Sequence, residues 1–210
     1  MIGWCRLLQR RQGWGPVSDA QVAEGLSLAR QAIEAGKDDP DALWMGGYVI
    51  AVFAAERTTA NSVIQRALML NPNSAYAWSA NGWVLCFGNQ PRGAIEAFER
   101  AMRLSPLDPN LFLMKVGTAF AHMLADRFDE ASSWAEGAFR EEPNYHPTAI
   151  ITAASNALAG RLKEAGHAME RLRQIDPTLR ISNLKDRHPI RRPDDLTKFV
   201  EGLRKAGLPE

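Results

Sequence analysis

The chain contains 210 residues, and its 25 Lys and Arg residues nearly balance its 24 Asp and Glu residues, which gives a formal net charge of +1. A chain of this length can bury a substantial core, and a charge so close to zero provides no overall attraction to nucleic acid or anionic lipid. The longest apolar run, residues 48–55, is far shorter than the roughly 20 residues of a membrane-spanning helix. We therefore expect a soluble protein that binds neither nucleic acid nor a membrane.

The N-terminal residues do not have the order of a secretory signal, because the first arginine follows the apolar residues instead of preceding them. We therefore expect a cytoplasmic location. The two cysteines, Cys5 and Cys86, lie far apart in amphipathic stretches. Both are expected to be reduced and to pack as small apolar residues.

The first predicted elements are two helices that form a hairpin over about residues 1–36. The second of them spans Ser18 to Gly36, with Ser18 as its N-cap and Ala29 and Ala32 facing inward. The first helix is short, and it lacks the polar outer face that the end of a stack of hairpins needs; its apolar residues are Ile2, Trp4, Leu7 and Leu8. The stack of hairpins is therefore expected to begin partway through a helix, with an upstream segment or a second copy of the chain covering this end. A homodimer through this hairpin is the corresponding hypothesis.

Four prolines then recur at intervals of 34, 37 and 34 residues, and each follows an amphipathic helical pattern. Proline disfavours the helical state in the residue before it and cannot donate a hydrogen bond, so each should close the second helix of a hairpin. The predicted hairpins span about residues 37–72, 73–106, 107–143 and 144–177, and the prolines are Pro72, Pro106, Pro143 and Pro177.

The most regular hairpin, residues 73–106, carries Trp78, Gly82 and Leu85 in its first helix and Ala94 and Phe98 in its second. This pattern resembles the tetratricopeptide repeat, whose period is about 34 residues. Gly82 is expected opposite Ala94, where small residues let helix axes approach to about 8 Å. The resemblance implies an all-α fold, a right-handed tetratricopeptide-type α-solenoid of about five hairpins over residues 1–177.

Equivalent positions in the other hairpins follow the same register, with departures. The small position of the second helix holds Ala60, Ala131 and Ala165. The 37-residue interval predicts about one extra turn in the first helix after Pro109. Pro40 fits the first turn of a helix.

The period stops after Pro177, and residues 178–210 are predicted to form a linker and a capping helix. A short helix at residues 182–187 leads to a last helix from about Pro193 to Ala206, which Gly207 caps. Its buried stripe is expected to consist of Leu196, Phe199, Val200 and Leu203.

Several segments also resemble the C-terminal region of bacterial class III adenylate/guanylate cyclases, over nearly the whole chain. They are residues 70–75, 103–109 and 201–210, together with residues 12–14 and 37–40. In that family the catalytic domain precedes the repeats and binds metal through paired aspartates, and no part of this sequence corresponds to it. The resemblance implies a regulatory or scaffolding region, with an upstream cyclase catalytic domain as its partner.

Signals for catalysis are weak throughout the chain. The sequence contains no GxSxG, GxxxxGK[ST] or HExxH motif, and the glycines at positions 13 and 15 fit a loop. The four histidines are scattered, without carboxylates or cysteines at metal-ligand spacing. The basic stretch at residues 187–192 fits a solvated linker better than a phosphate site. We therefore predict no enzyme activity, no cofactor and no metal.

The geometry of the tetratricopeptide family places certain positions of each first helix on a concave, partner-binding face. In this chain those positions are largely aromatic, which is typical of anchors in protein interfaces. Trp83 and Tyr76 fit the core and the groove equally well, whereas Trp78 and Trp134 fit the core. The candidate partner-binding residues are Trp44, Tyr48, Tyr76, Ser79, Trp83, Phe87, Phe112, Lys115 and His122.

The sequence therefore predicts a noncatalytic protein-interaction module whose partner is a protein or peptide held mainly by apolar side chains. Association with a bacterial cyclase is the specific form of this hypothesis. Two alternatives remain open, the repeat region of a winged-helix transcriptional regulator and a stand-alone scaffold that self-associates.

Overall fold

The computed structural model describes residues 2–12, 17–188, 190 and 192–210. Within these residues every regular element of secondary structure is a helix. The fold class is therefore all-α, as the sequence predicts. The chain divides into two compact units, Met1–Pro106 and Leu107–Glu210. The predicted glycine turn at residues 13–15 and two residues of the basic linker, Pro189 and Arg191, lie outside the described residues, as do the side chains of Ile2 and Trp4.

The first unit is built from helical hairpins. In each hairpin the second helix packs along the first, and in the first two hairpins it also packs against the first helix of the hairpin that follows. The helices are α1 (Ile2–Gln12), α2 (Asp19–Ala35), α3 (Pro40–Phe53), α4 (Arg57–Leu70), α5 (Ala75–Phe87) and α6 (Pro91–Leu104).

The second unit begins with two further hairpins and ends with shorter segments and a last helix. Its helices are α7 (Leu111–Leu124), α8 (Phe128–Glu141), α9 (His146–Leu158), α10 (Leu162–Ile175), a 3-10 turn (Ile181–Asn183), α11 (Leu184–Arg187) and α12 (Pro193–Lys205). Gly207 follows α12 in the left-handed conformation, with a φ of 92°, and confirms the predicted C-terminal cap.

The helix boundaries follow from local chemistry. Ser18 caps α2 through a capping box with Gln21, and Pro40 is the first residue of α3, as predicted. The second helices α4, α6, α8 and α10 each end two residues before one of the four recurring prolines. The sequence therefore contains the stop signals of the hairpins.

Close packing within the hairpins uses the predicted small residues. The side chains of all four alanines at the small position are fully buried; they are Ala60, Ala94, Ala131 and Ala165. Gly82 lies closest to the ring of Phe98, one turn beyond Ala94, and a Cβ on Gly82 would approach that ring to 2.8 Å. Gly47 packs against the equivalent pair, Ala60 and Ile64. The small first-helix residue therefore accommodates the larger side chain of the second helix.

Two sequence-based expectations about helix length and cysteine packing are wrong. α7 contains 14 residues and α5 contains 13, so the first helix after Pro109 has no extra turn. The added residues lie mostly in the connection between Leu104 and Leu111, which is longer than that between Leu70 and Ala75. Cys86 is buried as predicted, but Cys5 is exposed.

The hydrophobic end predicted at the N-terminus is partly packed. Leu7 is fully buried within the first unit. The backbone of α1 approaches α2 closely, since a Cβ on Gly3 would lie 2.8 Å from the carbonyl oxygen of Gly25. None of the described helices is both long enough and apolar enough to cross a bilayer.

Candidate functional site

An aromatic pair lies on the first helices of two successive hairpins in the first unit. Asp41 and Trp44 are one turn apart on α3, and Trp44 Nε1 donates a hydrogen bond to Asp41 Oδ1 at 2.8 Å. Tyr76 follows the N-cap Ser74 in the first turn of α5. The rings of Trp44 and Tyr76 stack with centroids 5.9 Å apart and an interplanar angle of 14°. We call Asp41, Trp44 and Tyr76 the aromatic shelf.

The two rings of the shelf differ in exposure. Trp44 is only 6% exposed and is fixed by its hydrogen bond, whereas Tyr76 is 41% exposed. The stacking therefore places a rigid buried ring behind an exposed one. Such an arrangement presents apolar area at little cost in side-chain entropy, because the exposed ring is already ordered.

Two more exposed apolar side chains precede Tyr76 in the chain. Met69 is 76% exposed and Leu70 is 43% exposed, at the C-terminal end of α4. They do not belong to the predicted concave positions. Their signal in the sequence is an apolar pair directly before the Asn71-Pro72 turn.

The other candidates in the first unit are packed inside it. Trp83 is 5% exposed, and its ring contacts the edge of Phe98 at 5.7 Å and the ring of Phe87 at 6.0 Å. Of the two positions for which the sequence allowed either role, Trp83 is thus in the core and Tyr76 is exposed. Tyr48, Ser79 and Phe87 are also buried.

The two tryptophans that were expected in the core are only partly buried. Trp78 Nε1 donates to the carbonyl oxygen of Pro72 at 2.9 Å and so ties α5 to the turn before it. Trp134 is half-buried on α8. Both side chains therefore border the core without being enclosed by it.

The remaining candidates lie in the second unit, on α7. Phe112 is half-buried and meets the edge of Tyr145 with centroids 5.4 Å apart. Lys115 forms an ion pair with Glu141 of α8. His122 is buried. The predicted nine residues therefore divide between the two units, and in the first unit Tyr76 supplies the exposed aromatic surface.

A buried carboxylate organises the end of the second unit. Asp176 accepts hydrogen bonds from Thr178 Oγ1 at 2.8 Å and from Arg187 Nη1 at 2.7 Å, and His146 Nε2 lies 3.5 Å from it. The His146 contact, together with Thr178 and Arg187, holds the pKa of Asp176 far below its ordinary value of 3.8 although burial opposes this. Arg187 of the predicted basic linker is thus part of a structural ion pair.

The described side chains show no clustering typical of a metal site. Among them, no group of three or more His, Cys, Asp or Glu side chains lies close enough together to hold a metal ion. The aromatic shelf, by contrast, offers aromatic and apolar surface, which suits binding to another polypeptide.

Comparisons with known proteins agree with the fold. No family model and no curated protein sequence matches the chain. PilW, a widely conserved type IV pilus biogenesis factor, is 16% identical with a TM-score of 0.66, over 95% of this chain and 90% of PilW. The ArsTM double mutant of MamA RS-1 is 18% identical with a TM-score of 0.58, over 83% of this chain and 93% of MamA.

A third similar structure is that of YrrB, described as a TPR protein with an unusual peptide-binding site. It is 19% identical with a TM-score of 0.54, over 85% of this chain and 90% of YrrB. At these identities the similarity concerns the fold alone. The chain therefore has the fold of tetratricopeptide proteins.

Proposed function

We propose that the chain is a noncatalytic protein-interaction module and that the aromatic shelf of the first unit contacts its partner. The observation that carries this proposal is the 41% exposure of Tyr76 on a stacked, hydrogen-bonded Trp44. Tyr is one of the residue types enriched among the hot spots of protein interfaces. Most tetratricopeptide arrays act as surfaces for other proteins, and the peptide-binding description of YrrB supports the same function here.

The chemistry of the shelf indicates a peptide or protein partner with apolar side chains. The Tyr76 ring offers an apolar face, and Met69 and Leu70 are further exposed apolar side chains of the same unit. The Asp41 carboxylate, which already accepts from Trp44, adds a negative charge beside the rings. A partner with an apolar side chain followed by a cationic one would match this surface.

The test is a selection of displayed peptides on the full chain, followed by measurement of Kd for variants. We expect Tyr76→Ala to weaken a selected peptide by about tenfold or more, because a central aromatic contact contributes about 2 kcal/mol. Leu162→Ala is the matched control, since Leu162 is an exposed apolar side chain of the second unit. Equal Kd values for the two variants would contradict the proposal. Trp83→Ala is unsuitable, because it removes a core side chain.

A narrower version of this proposal makes the partner a class III cyclase catalytic domain. Its support is the resemblance of residues 70–75, 103–109 and 201–210 to the C-terminal region of those cyclases. Titration of a purified cyclase catalytic domain into the labelled chain tests it. Binding that Tyr76→Ala weakens is expected, and no binding at micromolar concentrations would rule out this partner class.

Other parts of the sequence-based hypothesis stay predictions. They are the cytoplasmic location, the self-associating scaffold and the homodimer through the hairpin at residues 1–36. Sedimentation over a wide concentration range tests the last two, and a monomer at every concentration would contradict both. The repeat region of a winged-helix regulator predicts that such a domain is encoded immediately upstream in the same reading frame.

A further inference from the structure

The last helix of the second unit packs chiefly along α9. Its closest backbone approach is at Gly202, where an added Cβ would lie 2.9 Å from the carbonyl oxygen of Ala154 and 3.0 Å from the side chain of Leu158. Only a residue without a side chain fits at this point. The contact therefore seats α12 in one defined position on α9.

The same helix also reaches α7. The buried ring of Phe199 meets the edge of Phe120 with centroids 6.1 Å apart. Lys198 Nζ donates to the carbonyl oxygen of Leu124 at 3.1 Å and lies 2.6 Å from the carboxylate of Asp126. The ammonium thus binds the C-terminal end of α7, where unpaired carbonyl groups favour a cation. Hence α12 lies over a face that two first helices of the unit share.

The α9 side of that face corresponds to predicted partner-binding positions. Counted from the first residue of each helix, Ala154 and Leu158 on α9 are equivalent to Trp83 and Phe87 on α5, two of the predicted partner-binding residues. In this unit, the chain's own helix occupies that surface on α9.

We propose that the α7–α9 face is a helix-binding surface, that α12 is its intramolecular ligand, and that a partner helix of the same pattern replaces α12. The pattern is an amphipathic helix with Lys directly before Phe, Gly three residues after that Phe and Leu four residues after it, as in residues 198–203. This goes beyond the proposed function, because it assigns a different surface and a helical partner.

The seat of α12 is suited to exchange because one edge of it is open to solvent and because it buries a carboxylate. An open cleft of about 380 Å³ runs beside the helix, and charged side chains such as Asp126, Asp194 and Glu201 line it together with Phe128. α12 also carries the buried carboxylate of Asp195 against the unit. Burial of a carboxylate makes docking less favourable, and water at the open edge competes for the polar contacts of the helix. Docking is nevertheless favoured in the free chain, since a tethered helix has a high effective concentration.

The experiment uses the full chain and a fluorescent peptide with the sequence of residues 193–210. The wild-type chain should bind this peptide poorly, because its own helix competes. Lys198→Ala and Phe199→Ala weaken the attached helix, so each variant should bind the wild-type peptide at least tenfold more tightly. A peptide carrying Phe199→Ala should bind none of the chains.

Lys205→Ala is the matched control within α12. Lys205 pairs with Glu201 of the same helix at 2.7 Å, a contact that α12 keeps whether docked or released. This variant should bind the peptide as poorly as the wild-type chain. Peptide binding equal to that of Lys198→Ala would overturn the proposal.

Hydrogen exchange decides whether α12 leaves its seat without unfolding of the unit. We expect amide exchange of α12 to be at least tenfold faster in Lys198→Ala than in the wild-type chain, with α7 and α9 unchanged. If α12 exchanges only together with α7 and α9, it is a fixed part of the fold and the proposal is wrong. The proposal is equally wrong if α12 exchanges faster and the folded variant still binds no peptide. Lys198 is partly exposed and outside the core, so this variant remains informative if Phe199→Ala does not fold.

Discussion

Ala55 occupies the same hairpin turn position as Gly160, and both residues have left-handed backbone, with φ values of 56° and 76°. Asn89 and Asp126 take this conformation in the two intervening turns, with φ values of 52° and 59°. Asn and Asp tolerate positive φ better than other side chains, and Gly has no preference against it. Ala55 is therefore the strained member of the series.

We expect Ala55→Gly to stabilise the protein by up to about 1 kcal/mol, because relief of the left-handed strain exceeds the added entropy of the unfolded chain. Gly160→Ala is the opposite experiment at the equivalent turn. A Cβ on Gly160 would meet no atom within 4 Å, so its expected loss of stability comes from the backbone alone. Urea unfolding of both variants checks the signs, and two changes of the same sign would contradict this reading of the turn.

Gly82→Ala should destabilise the hairpin formed by α5 and α6 by about 1–3 kcal/mol, the usual cost of overpacking a core. The added Cβ would lie 2.8 Å from the fully buried ring of Phe98. Phe98→Leu in the same chain should remove part of that cost, and a double-mutant cycle measures the coupling.

The control for this variant is Gly166→Ala in α10. A Cβ there would meet no atom within 4 Å. Its expected effect is a gain of about 0.5–1 kcal/mol from helix propensity. A loss at Gly166 comparable to that at Gly82 would show that backbone conformation, and not the Phe98 contact, determines the result.

Asp176→Asn should lower the free energy of unfolding by about 1–3 kcal/mol at neutral pH, since it weakens charged hydrogen bonds to a buried group. The folded pKa of Asp176 lies below its ordinary value of 3.8. The stabilisation is thus fully present above that ordinary value and is lost as pH falls through the folded pKa. Denaturant unfolding of both proteins from pH 7 to pH 3 checks this, because the difference should be constant above pH 3.8 and begin to shrink below it. A difference that already shrinks between pH 7 and pH 5 would contradict this assignment.

Asp195→Asn should have the opposite effect on stability. Burial raises the pKa of Asp195 above its ordinary value of 3.8, and the charges of Arg192 and Lys198 offset this only in part. The wild-type protein therefore loses stability as pH rises from 3.8 through the folded pKa, and the variant does not.

Thermal unfolding at several pH values tests that difference. The Tm of Asp195→Asn should exceed the wild-type Tm by a few degrees at pH 7, and the two should converge near pH 4. Asp194→Asn is the control, because Asp194 is exposed on the same helical turn. A Tm gain for Asp194→Asn as large as that for Asp195→Asn would assign the effect to helix charge in general.

Most of the helical layout could be predicted from the sequence because its signals are local. Proline stops a helix that would run on into it and fits the first turn of the next one, and Ser18 with Gln21 caps a helix through contacts three residues apart. The register of Ala60 and Ala94 likewise depends on helix periodicity. The sequence-based prediction put the added residues near Pro109 in the helix, whereas most of them lie in the connection before it. A longer interval between prolines is equally compatible with a longer connection and a longer helix.

Less of the candidate site could be predicted. Tyr76 and Trp83 lie two turns apart on one face of α5, and Trp78 lies on another face. All three are aromatic, yet among them only Tyr76 is exposed. Burial depends on which side chains arrive from other helices, such as Phe98 against Trp83. Position in a repeat does not contain that information.

The amino-acid sequence by itself determined the all-α hairpins, their period and their ends, because these depend on interactions between residues a few positions apart. The tertiary structure decided that Trp44 supports an exposed Tyr76, and that α12 lies on α9 and reaches α7 through Phe199 and Lys198. Those outcomes depend on packing between residues distant in the chain, where several arrangements satisfy the same helical pattern. Asp126 and Lys198 show this directly, since 72 positions separate the two partners of one ion pair.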